Sequence, residues 1–260
     1  MADFIVDSGG TPIAVFVHGS GPPLVMVHGS MTDHLAFEAL VAATPSMTAY
    51  RLDRRGFGES GDGPAYTIEH EYGDVAAVVA EVARRTGEPV ALFGHSYGAN
   101  CALGGAVASE FVSHLVIFEP SLGLHYPAGA IESIEEALAQ DDRDGALATV
   151  FSTVLDMTAE EIDKYRLSPT WSTRLRVAHT IPRECRVEEE LTFESSHWKV
   201  DCPTLVMTGQ ETTEELATIA RAAVAAIEGA RLCVLEGVDH MAPRLAPHAV
   251  AEQITSFLGG

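Results

Sequence analysis

The sequence predicts an α/β fold: a mostly parallel central sheet flanked by helices and interrupted once by a helical insertion. Three observations carry this. Short apolar, β-rich runs alternate with longer helical stretches through the first 120 residues, the pattern of a parallel sheet covered on both faces. Strand-like runs disappear from Ser121 to about Val200 and resume at Thr204. The length, 260 residues at 47% hydrophobic composition, suits one large α/β domain better than two separate ones.

Taken in order, β-like segments near residues 4–6 and 13–17 open the chain, and a Gly/Pro turn separates them from the buried run Leu24-Val25-Met26-Val27. That strand ends at His28-Gly29-Ser30, and a helix is expected near residues 34–43. Tyr50-Arg51-Leu52-Asp53 closes the next strand and enters a Gly-rich turn. Residues 68–85 place Tyr72, Val75, Val78, Val79 and Val82 along one side of a long helix that Gly87 ends. Val90-Ala91-Leu92-Phe93 is another buried strand, residues 99–109 a helix, and 114–118 a strand ending at Glu119-Pro120. The stretch from 121 to 200 is too long for a plain loop. It carries helical patterns near residues 131–139, 144–155, 159–165 and 173–179, with Thr158 and Glu161 at capping-box spacing. A strand at 204–207, a helix near 214–227, a strand at 231–235 and a helix near 247–258 complete the chain. The expected organisation is a core of residues 1–120 and 201–260 with an insertion of residues 121–200.

Charge narrows the partners. With 37 acidic against 16 basic residues the formal charge is −21, which repels nucleic-acid backbones and anionic membranes alike. Cys101, Cys185, Cys202 and Cys233 have no metal-ligand spacing and are expected to be buried or incidental thiols. The first residues lack a basic, apolar leader, and no run reaches membrane-span length. These features predict a cytoplasmic monomer or homodimer that acts on a small molecule, with no nucleic-acid or membrane partner. No cofactor or metal is expected: the glycines form no dinucleotide fingerprint, and a P-loop lysine is missing.

The strongest chemical signal is Gly94-His95-Ser96-Tyr97-Gly98, a G-x-S-x-G between an apolar strand and a helical segment. Glycines two positions to either side allow a sharp turn that presents the Ser96 hydroxyl. A serine hydroxyl needs a base, and the base needs an orienting group. His240, just beyond the last strand, would meet Ser96 at the carboxyl edge of a parallel sheet. His18, His70, His114, His125, His179, His197 and His248 fall on turns, helices, strand starts or the insertion, and His95 turns away from Ser96. Two strand ends between Ser96 and His240 offer an acid, Glu119 and Glu211. The N–H of Tyr97, opening a helix, and that of Ser30 are the expected oxyanion donors, with Met31 next in line.

These segments together resemble the α/β-hydrolase superfamily over nearly the whole chain. The resemblance is carried by His28-Gly29-Ser30, Asp53-Arg54-Arg55-Gly56-Phe57-Gly58-Glu59-Ser60, the elbow around Ser96, and Asp239-His240. Members usually carry the acid as Gly-x-x-Asp after the strand that here is 204–207, where this chain has Gly209-Gln210-Glu211-Thr212. A subset, including some lactone hydrolases and dehalogenases, carries its acid one strand earlier, and Phe118-Glu119-Pro120 resembles that subset. The resemblance therefore favours Glu119 as the acid, with Glu211 as the fallback, and implies residues 121–200 as a lid. The expected activity is hydrolysis of a small, largely apolar ester or lactone through an acyl-enzyme on Ser96. Met31, His34, Tyr126 and Trp171 are candidate substrate contacts. The same triad would also serve a cofactor-free perhydrolase, a C–C hydrolase or a lyase, and the fold alone would serve a non-catalytic binding protein.

Overall fold

In the computed structural model, which describes residues 1–63, 65–155, 157–194 and 198–259, eight strands form one sheet in the order β1-β2-β4-β3-β5-β6-β7-β8. His197, among the histidines set aside above, lies outside the described residues. Strands β1 (Phe4–Ser8) and β2 (Thr11–Gly19) form a hairpin, and β2 also runs antiparallel to β4 (Thr48–Leu52). From β4 onward the sheet is parallel: β3 (Pro23–Val27), β5 (Val90–His95), β6 (Val112–Phe118), β7 (Thr204–Gly209) and β8 (Arg231–Leu235). The continuous apolar runs of β3, β5 and β7 reflect burial on both faces.

Each face has its own core. On one, α2 (Ile68–Thr86), α3 (Tyr97–Val107) and α9 (Glu214–Ala226) cover Val25, Leu92, Leu115 and Val206; Val75, Val78, Val79 and Val82 form the buried side of α2. Gly87 ends α2 in the left-handed region at φ 73°, as its sequence position predicts. On the other face, α1 (Glu38–Ala43), α10 (Ala242–Leu245) and α11 (Pro247–Leu258) pack on Met26, Phe93, Val116 and Met207. A 3₁₀ turn at His34–Phe37 precedes α1, so the helix expected near residues 34–43 is split in two.

The helical insertion leaves the sheet after β6 and returns to it at β7. It comprises α4 (Ala130–Ala139), α5 (Arg143–Thr149), α6 (Ala159–Arg166), α7 (Pro169–Val177) and α8 (Ile181–Glu190). Thr158 and Glu161 make the capping box their spacing predicts. Ile134, Leu147, Phe151, Trp171 and Ile181 form a separate small core, and Met31 packs against it from the sheet side. Helix α8 was not evident in the sequence. No helix among the described residues is long and apolar enough to cross a membrane.

Candidate active site

Strand β5 ends at His95 and α3 begins at Tyr97, so Ser96 alone makes the turn between them. Its backbone lies at φ 57°, ψ −129°, a conformation that costs about 1–3 kcal/mol for a residue bearing a Cβ. The flanking glycines make that turn possible. A Cβ on Gly94 would stand 2.5 Å from Gly98 O, and one on Gly98 would stand 2.3 Å from both Val27 O and His28 O. The turn lies against the end of β3, where a Cβ on Gly29 would meet Ser96 Cβ at 3.0 Å and Oγ at 3.5 Å.

Glu119 follows β6 at φ 46° and continues the ladder by donating its N–H to Met207 O at 2.9 Å. Its side chain is fully buried and ringed by donors. Oε1 accepts from Thr208 Oγ1 at 3.0 Å and Gly209 N at 2.7 Å; Oε2 accepts from Thr212 Oγ1 at 3.0 Å and His240 Nδ1 at 2.6 Å. Burial pushes the carboxyl pKa up, but the bonds from His240 and Gly209 outweigh it and hold Glu119 below the usual carboxylate range. A carboxylate can only accept, so His240 Nδ1 is the donor in that bond. Thr212, which stands where the usual Asp of this pattern would be, donates to the Glu119 carboxylate at the end of the neighbouring strand. Glu211 is exposed, and its backbone N–H is bonded to Val238 O at 2.9 Å.

His240 sits in the loop between β8 and α10, with its side chain 32% exposed. His95 Nε2–H donates to His240 O at 2.9 Å, and the two rings lie 4.7 Å apart. Burial, and then the neighbouring His240, push His95 down to about 3, so it stays neutral as that donor. The structure thus brings His240 onto Glu119 and onto the residue beside Ser96. Ser96 Oγ makes no hydrogen bond to a described residue, His240 included.

The Ser30 and Tyr97 N–H groups make no hydrogen bond to a described residue. Tyr97 is the first residue of α3, where an N–H has no partner within the helix. Ser30 lies beside Gly29 on the loop after β3, and Met31 next to it has φ 57°. That loop is held from behind. His28 Nδ1–H donates to Gly29 O at 2.8 Å, and Nε2 accepts from Arg54 N at 3.1 Å. Burial, reinforced by Arg54, pushes His28 down to about 4, so it stays neutral. Asp53 accepts from His34 N, His34 Nδ1 and Glu59 N.

The four candidate substrate contacts are placed differently. His34 is tied to Asp53 at 2.8 Å and stacked on Phe16. Tyr126 donates its hydroxyl to Glu188 of α8. Trp171 is buried against Phe151 and Tyr165 and donates to Asp144 Oδ1 at 2.9 Å. Met31 joins the sheet side to the apolar core of the insertion. His95, Thr208 and Thr212 bond His240 or Glu119, and of these the Gly-x-x-Thr spacing pointed at Thr212.

The profile of the alpha/beta hydrolase family matches residues 14–253. The chain belongs to that family, and fold and site together define a hydrolase. Its structure is similar to that of an alpha/beta hydrolase from Sphaerobacter thermophilus DSM 20745, with TM-score 0.84 and 28% identity over 98% of this chain and 100% of the other. The enol-lactonase from Burkholderia xenovorans LB400 shares the fold at TM-score 0.77 and 20% identity, over 99% of this chain and 100% of that one. An esterase from Exiguobacterium antarcticum does so at TM-score 0.74 and 21% identity, over 100% of both chains. No protein of curated function is significantly similar to the chain in sequence.

Proposed function

We propose that the protein is a serine hydrolase that cleaves an ester or lactone bond of a small, largely apolar substrate through an acyl-enzyme on Ser96. One observation carries the reading. A buried, fully solvated-by-protein carboxylate, Glu119, holds His240 at 2.6 Å at the sheet edge where the strained Ser96 turn also lies. As Ser96 Oγ adds to the carbonyl carbon, its proton passes to His240 Nε2 and the carbonyl π electrons move onto oxygen. The Ser30 and Tyr97 N–H groups hold that oxyanion. The imidazolium, steadied by Glu119, gives its proton to the departing alkoxide oxygen as the C–O bond breaks. Water then gives a proton to Nε2 and adds to the acyl carbon; collapse returns that proton to Ser96 Oγ and releases the acid.

The enol-lactonase and the esterase of like fold support the lactone or ester as the bond class. In this reading the insertion is a lid, and Met31, His34, Tyr126 and Trp171 belong to the substrate's surroundings. Met31 has the best support of the four, since it adjoins Ser30 and touches the insertion's apolar core. The test is a fluorophosphonate probe and a panel of p-nitrophenyl esters and lactones. Wild type is expected to be labelled at Ser96 and to turn over. Ser96→Ala is expected to lose both; turnover that survives Ser96→Ala overturns the proposal.

A further inference from the structure

Arg54 is fully buried, and its guanidinium bonds the carbonyl of the Gly29–Ser30 peptide and lies over the Tyr97 ring. Nη1 donates to Gly29 O at 3.3 Å and reaches His28 O at 3.5 Å. Gly29 C=O and Ser30 N–H belong to one planar peptide unit. A cation bonded to that oxygen fixes the plane of the unit and strengthens its N–H as a donor. The guanidinium carbon also stands 4.6 Å from the centre of the Tyr97 ring, whose backbone supplies the second donor. The far side of the guanidinium is gripped by two carboxylates. Glu71 of α2 takes Nε at 3.0 Å and Nη2 at 2.6 Å, and also accepts from the Tyr66 hydroxyl, which lies 2.6 Å from that of Tyr97. Glu184 of α8 takes Nη2 at 2.5 Å; burial raises its carboxyl pKa above the ordinary value, against the pull of Arg54. Buried ion pairs contribute little net stability relative to apolar packing, so the arrangement matters chiefly for what it orients.

We infer that Arg54 is a positioning residue of the oxyanion hole, and that Glu184 makes its setting depend on the insertion being docked. The α8 carboxylate fixes the guanidinium, and the guanidinium fixes the Gly29–Ser30 peptide. The inference rests on the acyl-enzyme reading above. Lysine cannot reproduce this fork of donors, so Arg54→Lys is the direct variant, and Glu184→Gln removes the charge from the link to the insertion while leaving Glu71 in place.

The experiment compares wild type, Ser96→Ala, Arg54→Lys and Glu184→Gln, with rates expressed per active site titrated by fluorophosphonate. Arg54→Lys is expected to lower kcat about 10- to 100-fold with KM held within about twofold. A trifluoromethyl ketone, which adds to serine as a tetrahedral oxyanion, is expected to weaken by the same factor as kcat/KM. Glu184→Gln is expected to lower kcat about threefold or more, again with KM unchanged. Wild-type kcat per titrated site in both variants overturns the inference, as does a loss confined to the titre or to KM. Should Arg54→Lys fail to fold, Glu184→Gln decides alone by the same criterion. Turnover by Ser96→Ala would instead bring down the serine-hydrolase reading itself.

Discussion

Replacing Glu119 by glutamine probes the proposed catalytic arrangement most sharply, because the side chain keeps its size and loses one acceptor. Gly209 N and Thr208 Oγ1 both donate to Oε1, so the amide oxygen must take that seat. The amide nitrogen then occupies the place of Oε2, facing Thr212 Oγ1 and His240 Nδ1. The threonine hydroxyl can rotate to accept; the imidazole can accept at Nδ1 only by moving its proton to Nε2. That removes the lone pair the Ser96 proton needs and leaves the imidazolium without its buried counter-charge. Loss of the orienting carboxylate by such a change costs about 10⁴ in kcat, or about 5.5 kcal/mol of transition-state stabilisation. The assay is p-nitrophenyl ester hydrolysis per titrated site for Glu119→Gln and Glu211→Ala. Glu211→Ala is expected to stay near wild type. Because Thr212 Oγ1 lies 3.0 Å from Oε2, the pair Glu119→Ala with Thr212→Asp is expected to recover about tenfold or more over Glu119→Ala alone. Retention of a large share of wild-type kcat by Glu119→Gln, with collapse of Glu211→Ala, would refute the reasoning.

Two further outcomes follow from packing and burial. Gly98→Ala would place a methyl group 2.3 Å from the carbonyl oxygens of Val27 and His28. It should destabilise the fold by about 3 kcal/mol, and an unchanged denaturation midpoint would show that the elbow can open without cost. Burial pushes Glu188 up to about 7 from its ordinary 4.5, against the pull of its hydrogen bonds from Ser121 and Tyr126. A raised carboxyl pKa contributes stability that is fully present below about 4.5 and is lost as pH rises toward 7, at most about 3 kcal/mol. Glu188→Gln should therefore flatten the fall in Tm across that window; a wild-type slope in the variant would assign it to another group.

Where a feature depends on neighbours in sequence, the chain declared it. The elbow glycines, the valine stripe of α2 with Gly87 behind it, and the Thr158–Glu161 capping box are all local patterns with local physical causes. The place of Glu119 at the sheet edge was legible because an apolar strand runs up to it and Pro120 stops that strand. Helix α8 was hidden by Pro182 and by a dense run of Arg and Glu, although proline is tolerated in a first helical turn and its charged positions line one another. That omission also concealed Glu184, whose partner Arg54 is 130 positions away. The His95–His240 contact spans 145 positions. Such pairs are set by how layers stack, and no periodicity records them. Tyr126 and Trp171, read on sequence as candidate substrate contacts, also pack in the insertion's own core.

The hydrogen bond from His95 to the main chain of His240 gives the proposed mechanism an unusual steadiness. In each turnover the imidazole of His240 would gain and lose a charge twice, and every such change tugs on the loop that carries it. The mooring for that loop is a second imidazole that burial pushes down to about 3, so it stays neutral well below the ordinary histidine range. The proton carrier can thus swing and recharge while its point of attachment remains fixed, much as a pendulum keeps time only if its pivot is still.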